Sequence, residues 1–251
     1  MIFEKYIPGM QKNDAYEALS AMMAGFDTDK LYADMIRYRI SGAASGLCFD
    51  TYYVAHENKK AFSRHWAGWG KHADSIGNWG NFYTVEGARG KGIGGKLLSF
   101  WYDDFENSDN LPMCFLCSVG TKELAVLYGR FGFRPAIAGQ EYGHLYMPVG
   151  DSPATFRELY MNYYKPSKYL ILKAADIGYR HEIDCLLRFS YADLELSFGF
   201  EKVLSMDEAL LYYPQRCGML YSEDGHCVGW SFDGKTQVYP LYADSQIITE
   251  Q

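Results

Sequence analysis

The sequence has no apolar run long enough to span a bilayer, and its first residues lack the basic and apolar regions of a signal peptide. Its six cysteines are scattered along a chain of ordinary size, which is typical of reduced thiols. Cys114 and Cys117 form a C-x-x-C pair, but no second Cys or His pair completes a zinc site. We therefore expect a cytoplasmic protein with buried core thiols, no metal and no membrane partner.

The chain also lacks a surplus of positive charge. Its 251 residues carry a net charge of −7, which argues against a nucleic-acid surface because phosphate contacts require clustered Lys and Arg. Hydrophobic residues make up 48% of the chain, enough for the core of one large domain or two small ones. The composition thus predicts a globular protein without a nucleic-acid partner.

Glycine is concentrated in residues 89–98, which read Arg-Gly-Lys-Gly-Ile-Gly-Gly-Lys-Leu-Leu. This segment joins a strand-like stretch, Phe82–Val85, to an amphipathic helix. Each of Gly92, Gly94 and Gly95 costs roughly 1 kcal/mol relative to alanine in a helical turn, so some gain must offset them. Close approach of an anion to bare backbone N–H groups at a helix N-terminus supplies such a gain. The segment therefore predicts a phosphate-binding loop.

Three phosphate-binding motifs compete for this loop. The P-loop motif needs Ser or Thr to hold magnesium where Leu97 stands. The dinucleotide fingerprint needs an acid at the end of the next strand, which instead ends in Gly and Thr at residues 120–121. The acyl-CoA signature, [RQ]-x-x-G-x-[GA], is met in full by Arg89, Gly92 and Gly94. The nucleotide-binding interpretation stays open as an alternative.

A second motif follows the loop. Residues 127–133, Leu-Tyr-Gly-Arg-Phe-Gly-Phe, fit the pattern Leu-Tyr-x-x-x-Gly-Phe after a buried strand. With both motifs in this order, residues 45–148 resemble the GNAT superfamily of N-acetyltransferases. The resemblance implies an α+β form of the α/β class, with a mixed, mostly antiparallel central sheet flanked by helices and a smaller C-terminal α/β subdomain.

The resemblance also implies a chemistry, namely acetyl transfer from acetyl-CoA to a primary amine of an unidentified small molecule. The loop N–H groups would hold the pyrophosphate, and the strand before the loop would line the pantetheine arm. Tyr128 is the candidate general acid, because a phenol pKa of about 10 lies near the thiol pKa of about 8.5. Lys122 stands where the family often carries an Asn. The predicted cofactor-binding residues are Phe82, Tyr83, Thr84, Val85, Arg89, Gly90, Lys91, Gly92, Ile93, Gly94, Gly95, Lys96 and Lys122.

The general base is not evident from the sequence. Some family members carry a Glu on the strand before the loop, whereas residues 78–82 contain no carboxylate, and Glu86 lies too close to the loop. His65 and His144 are the candidate bases, acting directly or through water. The missing carboxylate keeps a second function open, that of a non-catalytic acyl-CoA sensor or pseudoenzyme. Three tryptophans either line an acceptor pocket or fill the core: Trp66, Trp69 and Trp79.

Periodicity predicts the elements of the N-terminal part. Residues 13–40 fit two helices broken at 25–28, and residues 47–56 and 60–70 fit a hairpin. The remaining expected elements are strands at 78–85, 113–119, 134–138 and 142–147. Apolar residues at helical spacing across 124–131 also predict a short helix.

We expect three segments: an acetyltransferase domain at 1–149, a connecting helix and linker at 150–168, and an α/β subdomain at 169–251. The connecting helix is predicted at 152–164. The last segment reads as a strand at 169–173, a helix at 176–191 and strands at 217–221, 226–232 and 236–242. Because that order matches the front half of the first domain, we predict a partial repeat without a cofactor site. It would cover a sheet edge, narrow the acceptor pocket or mediate a homodimer.

Overall fold

A computed structural model describes residues 1–24, 30–150, 154–188, 200–238 and 240–249. The chain divides into two units. The first comprises Met1–Pro135 and Gln140–Val149, and the second comprises Ala136–Gly139 and Gly150–Gln251.

The first unit is built on a seven-stranded sheet of order β1-β2-β3-β4-β5-β7-β6. All neighbours are antiparallel except β4 and β5, which are parallel. The mixed, mostly antiparallel sheet implied by the resemblance is therefore confirmed. The strands are β1 (Ile2–Tyr6), β2 (Cys48–Glu57), β3 (Lys60–Gly70), β4 (Ile76–Thr84), β5 (Cys114–Val119), β6 (Arg134–Pro135) and β7 (Gly143–Pro148).

Helices cover both faces of this sheet, so alternate residues of a strand are buried in different cores. On one face, α1 (Asp14–Ala24) and α2 (Lys30–Ile40) pack on Tyr52 and Val54 of β2. On the other face, α3 (Ile93–Glu106) packs on Tyr53 of the same strand. The short helix α4 (Lys122–Gly129) also contributes to this second core.

The hairpin expected around residues 57–59 is present. Asn58 and Lys59 have φ of 49° and 62°, the left-handed pair that a two-residue turn between right-twisted strands requires. The strand expected at 134–138 is wrong in extent, since β6 ends at Pro135. Proline has no N–H to donate to a ladder, and the chain leaves the sheet there.

The second unit contains a five-stranded sheet of order β11-β10-β9-β8-β12, in which only the β8–β12 pair is parallel. Its elements are α5 (Phe156–Tyr163), β8 (Tyr169–Ala174), α6 (Arg180–Arg188), α7 (Phe200–Tyr212), β9 (Cys217–Ser222), β10 (Cys227–Phe232), β11 (Lys235–Val238) and β12 (Gln246–Thr249).

Several boundaries in this unit differ from expectation. Helix α5 begins at Phe156 because Thr155 and Glu158 form a capping box, while 151–153 lie outside the described residues. The helix expected at 176–191 starts as a 3₁₀ turn, and its last residues, 189–191, also lie outside the described part. The strand expected at 236–242 ends at Val238. Two elements were not predicted, α7 and β12.

The second unit repeats a pattern of the first. Strand β8, two helices and the antiparallel strands β9, β10 and β11 follow one another as β1, α1, α2, β2, β3 and β4 do, with the same strand order. That this pattern arose by duplication stays a prediction, as do the boundaries of the connecting segment.

No helix in the described part of the chain is both long and apolar enough to span a membrane.

A buried ion pair joins α2 to the central sheet. Arg39 Nη1 lies 2.7 Å from Asp50 Oδ1, and the two side chains are 5% and 3% exposed. The indole N–H of Trp66 donates to the same carboxylate oxygen at 2.8 Å. Asp50 therefore accepts two hydrogen bonds at a buried position.

Removing one member of such a pair leaves a buried charge uncompensated. We expect Asp50→Ala to lower the free energy of unfolding by about 3–5 kcal/mol. Tryptophan fluorescence during urea unfolding measures it, because four of the five tryptophans lie in the first unit. The matched control is Glu17→Ala, which breaks an exposed pair with Lys59 and should cost at most about 1 kcal/mol. Equal losses in the two variants would contradict this role of Asp50.

Candidate functional site

The glycine-rich loop connects β4 to α3 through a single 3₁₀ turn at Glu86–Ala88. Helix α3 begins after Gly92, which has φ of +74° and provides no side-chain cap. The first bond of the helix runs from Lys96 N to Gly92 O at 3.0 Å. The backbone N–H groups of Ile93–Gly95 therefore have no acceptor within the helix and point out of its N-terminus, as an anion site requires.

Two glycines of the loop are required for different reasons. Gly92 adopts the left-handed conformation that other residues enter only with strain. A Cβ on Gly94 would lie 2.8 Å from Phe82 Cζ and 3.0 Å from Thr84 Oγ1. The first turn of α3 consequently packs directly on the end of β4, a contact that only a residue without a side chain allows.

A cavity of about 490 Å³ opens between this turn, the end of β4 and α4. It is lined by nine of the predicted cofactor-binding residues together with Ala88 and two leucines of α4. The predicted residues that line it are Phe82, Tyr83, Thr84, Arg89, Gly90, Gly92, Ile93, Gly94 and Gly95. The glycine loop and the strand before it are thus brought to one cavity.

The other four predicted residues do not line this cavity: Val85, Lys91, Lys96 and Lys122. Lys91 Nζ donates to Gly87 O at 2.8 Å, and Lys122 Nζ pairs with Glu141 at 2.7 Å. Lys91 and Lys96 still place exposed positive charge on the loop. The cofactor-binding roles of all thirteen residues stay predictions.

Beside this cavity the sheet opens. Strands β4 and β5 pair only between Ile76–Asn78 and Cys114–Leu116. Further along, Asn81 has φ of 55°, and the β3–β4 register shifts between Arg64 and Trp66. The β5-facing edge of β4 from Trp79 to Thr84 is therefore without strand partners in the described structure, which leaves a gap between the two strands.

A second cavity, of about 300 Å³, occupies this gap. It shares Phe82, Tyr83 and Leu124 with the first cavity, so the two adjoin. Arg64, Asn81 and Tyr32 also line it and had not been predicted. Arg64 Nε donates to Asn81 O at 3.2 Å, and Tyr32 donates to the Asn81 side chain. No sequence pattern signals them, because they meet only through the irregular β3–β4 pairing.

Tyr128 lies on α4 at the boundary of the second cavity. Its ring packs edge-on against Trp79 with centroids 4.3 Å apart, and the residue is 5% exposed. Burial, with the nearby Cys117 thiol, raises the pKa of Tyr128. The hydroxyl is consequently protonated at neutral pH, as a hydrogen-bond donor must be.

The prediction of His65 as the general base is wrong. It is fully buried on the α3 face of the sheet, packed on Trp79 at 4.2 Å, and its Nδ1 lies 3.1 Å from Gly80 O. Burial lowers the pKa of His65 to about 3. A ring enclosed in this core has no contact with either cavity.

His144 has a different environment. On β7 it stands opposite Ser118 of β5, and its Nδ1 lies 2.9 Å from Ser118 Oγ. Ser118 lines the second cavity, so the pair adjoins the gap between the strands.

Of the three tryptophans, Trp66 and Trp69 are buried in cores on opposite faces, and buried Trp79 alone lines the second cavity.

Residues 49–135 match the family model described as an acetyltransferase (GNAT) domain. The first unit contains a GNAT domain. The matched range holds β2 to β5, the glycine loop, α3 and α4, and therefore most of both cavities. No curated protein matches the chain.

Solved structures similar to this GNAT domain come from several bacteria. A GNAT family acetyltransferase from Brucella melitensis, in complex with acetyl-CoA, is 18% identical with a TM-score of 0.38; the alignment covers 61% of this chain and 92% of that one. A GNAT family N-acetyltransferase from Escherichia coli, in complex with CoA, is 12% identical with a TM-score of 0.41, and the alignment covers 59% of this chain and 82% of that one. An acyl-CoA N-acyltransferase from Pseudomonas aeruginosa is 14% identical with a TM-score of 0.42, and the alignment covers 59% of this chain and 99% of that one.

The bare N–H groups at the N-terminus of α3 predict that a side chain added at Gly92 weakens acetyl-CoA binding. Gly92→Val should abolish acetyl-CoA binding, because valine is strained at φ +74° and its branches would crowd the N–H groups. Isothermal titration calorimetry with acetyl-CoA measures this. Gly46→Ala is the control, since Gly46 has open space around its Cβ position and lies outside the GNAT loop. Wild-type affinity in Gly92→Val would refute the assignment of the loop.

The burial of His65 predicts a pH dependence of stability. Its folded pKa, about 3, lies below the ordinary value of 6.5, so its contribution is complete above pH 6.5 and is lost as the pH falls towards 3. Between pH 7.5 and pH 5.5 the loss is about 1.4 kcal/mol. Urea unfolding at these two pH values should show a loss of stability that is smaller by that amount in His65→Gln than in the wild type. An identical dependence in wild type and variant would mean that the ring is not enclosed.

Proposed function

We propose that this protein transfers the acetyl group of acetyl-CoA to a primary amine. The observation that carries the proposal is the continuity of two cavities, one at the bare N-terminus of α3 and one in the gap between β4 and β5. The first suits a pyrophosphate and the second a thioester with its acceptor. The GNAT domain match and the acetyl-CoA bound by the Brucella melitensis protein agree with this donor.

In this proposal the pyrophosphate is held by the N–H groups of Ile93–Gly95 and by the α3 dipole. The loop cations, Arg89, Lys91 and Lys96, add attraction for the phosphates. The pantetheine arm extends along Phe82–Thr84, where the β5-facing edge of β4 lacks strand partners. A backbone N–H of that edge then polarises the thioester carbonyl and stabilises the oxyanion that forms on attack.

The transfer step forms a C–N bond and breaks the C–S bond. A neutral amine attacks the thioester carbonyl, and the tetrahedral intermediate collapses with CoA thiolate as the leaving group. Tyr128 donates its proton, or a hydrogen bond, to the departing sulfur. Since burial raises its pKa, the phenol transfers a proton less readily than a free tyrosine, and hydrogen-bond donation is its first contribution. His144, through Ser118 or water, accepts the proton that the amine loses.

A non-catalytic acyl-CoA sensor is the alternative function. One observation favours it: neither cavity is lined by a carboxylate within the described residues. Turnover of acetyl-CoA against a panel of polyamines, aminoglycosides, amino acids and peptides separates the two functions. Tight binding of acetyl-CoA with no acetylated product across the panel would support the sensor function, whereas magnesium-dependent ATP binding would overturn both functions.

The cytoplasmic location and the homodimer expected from the sequence stay predictions.

Tyr128→Phe tests the acid without disturbing the packing on Trp79. We expect kcat to fall at least about tenfold, because phenylalanine has no hydroxyl to donate a hydrogen bond to the departing sulfur. Acetyl-CoA affinity should be nearly unchanged, because the ring is kept. Tyr142→Phe is the matched control at an exposed position that lines neither cavity. A wild-type rate in Tyr128→Phe would exclude Tyr128 from the mechanism.

A further inference from the structure

A third cavity, of about 500 Å³, lies in the first unit between the C-terminal half of α3 and the strands β2 and β3. It shares no lining residue with the two cavities of the proposed acetyltransferase site. Helix α3 has 14 residues and begins at the glycine loop, so its far end lies about 20 Å from the donor site. We infer that this cavity is a second ligand site, for a free amino acid with an aromatic or large aliphatic side chain.

Aromatic rings form much of the wall. Phe49 and Trp69, cross-strand neighbours on β2 and β3, have ring centroids 5.5 Å apart. On α3, Trp101 and Phe105 stack at 5.5 Å with an interplanar angle of 19°. Flat apolar walls of this kind suit an apolar side chain, and the volume is within the range of small-molecule sites.

Most of the charges in the wall are already paired. Lys5 forms an ion pair with Asp104, and Tyr53 OH donates to the same carboxylate at 2.8 Å. Asp50 is paired with Arg39 beneath the wall. The charges within each of these pairs cancel, so the pairs do not require a charged group on the ligand.

Two charges remain, one of each sign. Lys71 Nζ donates to Ser45 O at 2.6 Å and lies 5.1 Å from the centre of the Phe49 ring. A carbonyl carries no net charge, and an ammonium has three donors, so Lys71 can also bind a carboxylate. Asp109 lines the same cavity and forms no ion pair with any described residue.

Contacts place each of these two charges near Trp69. Trp69 Nε1 donates to Asn110 O at 2.9 Å, which holds the turn containing Asp109 next to Trp69. Lys71 Nζ lies 5.1 Å from the centre of the Phe49 ring, which in turn lies 5.5 Å from that of Trp69. A ligand with a carboxylate and an ammonium on one carbon atom, and an apolar side chain reaching over the rings, complements this arrangement. An α-amino acid has those groups.

Binding is tested on the full-length protein by calorimetry and tryptophan fluorescence with L-phenylalanine and L-leucine. The matched probes are phenethylamine, which lacks the carboxylate, and 3-phenylpropionate, which lacks the ammonium. We expect each probe to bind at least about tenfold more weakly than L-phenylalanine, a difference of about 1.4 kcal/mol. Failure of both amino acids to bind the wild-type protein would overturn the inference.

Variants separate this cavity from the acetyltransferase site. Lys71→Gln and Asp109→Asn should each weaken L-phenylalanine binding about tenfold or more while acetyl-CoA affinity stays unchanged. Lys71→Arg keeps the charge and should retain binding, and circular dichroism checks that the variants fold. Lys165→Gln and Asp103→Asn make the same charge changes at exposed positions outside the cavity. Wild-type L-phenylalanine affinity in Lys71→Gln and Asp109→Asn would place any bound amino acid elsewhere, such as the acceptor position, and would overturn this site.

Discussion

The early separation of β4 from β5 is the constraint on which the candidate site depends. Backbone N–H and C=O groups left without partners inside a protein are costly, so neighbouring strands normally keep pairing. Here pairing stops after Asn78, and the left-handed backbone at Asn81 takes β4 away from its neighbour. The edge that results offers a row of backbone donors and acceptors. A pantetheine arm, which carries amide groups of its own, is a chemically suitable partner for such an edge.

Helix α3 connects this gap to the rest of the first unit. Its N-terminal turn is held on Phe82 and Thr84 because Gly94 has no side chain, which fixes the bare N–H groups relative to the end of β4. Its middle is anchored by Leu97, Leu98 and Trp101 in the core. Its far end forms one wall of the third cavity. One rigid element thus borders both the proposed donor site and the proposed amino-acid site.

Much of the first unit was predictable because local signals and tertiary packing agree there. The hairpin at residues 57–59 and the helix after the loop follow from turn chemistry and apolar spacing. Predictions were poorer where the fold overrides local pattern. Strand β6 is short because Pro135 cannot extend the ladder. Strand β12 is exposed along its length, so no alternation of buried residues marks it in the sequence.

The sequence alone located the glycine loop and its companion motif and predicted an anion site there. Gly92 and Gly94 can be read as a cradle for an anion because glycines in the first turn of a helix are costly unless a ligand approaches their bare backbone. Only the tertiary structure decided which polar side chains reach the cavities. His65 and Arg64 are neighbours in sequence, yet the pleat sends His65 into the α3 core and Arg64 into the gap beside β5. Likewise Ser118 and His144 come together only because β5 and β7 pair at that register.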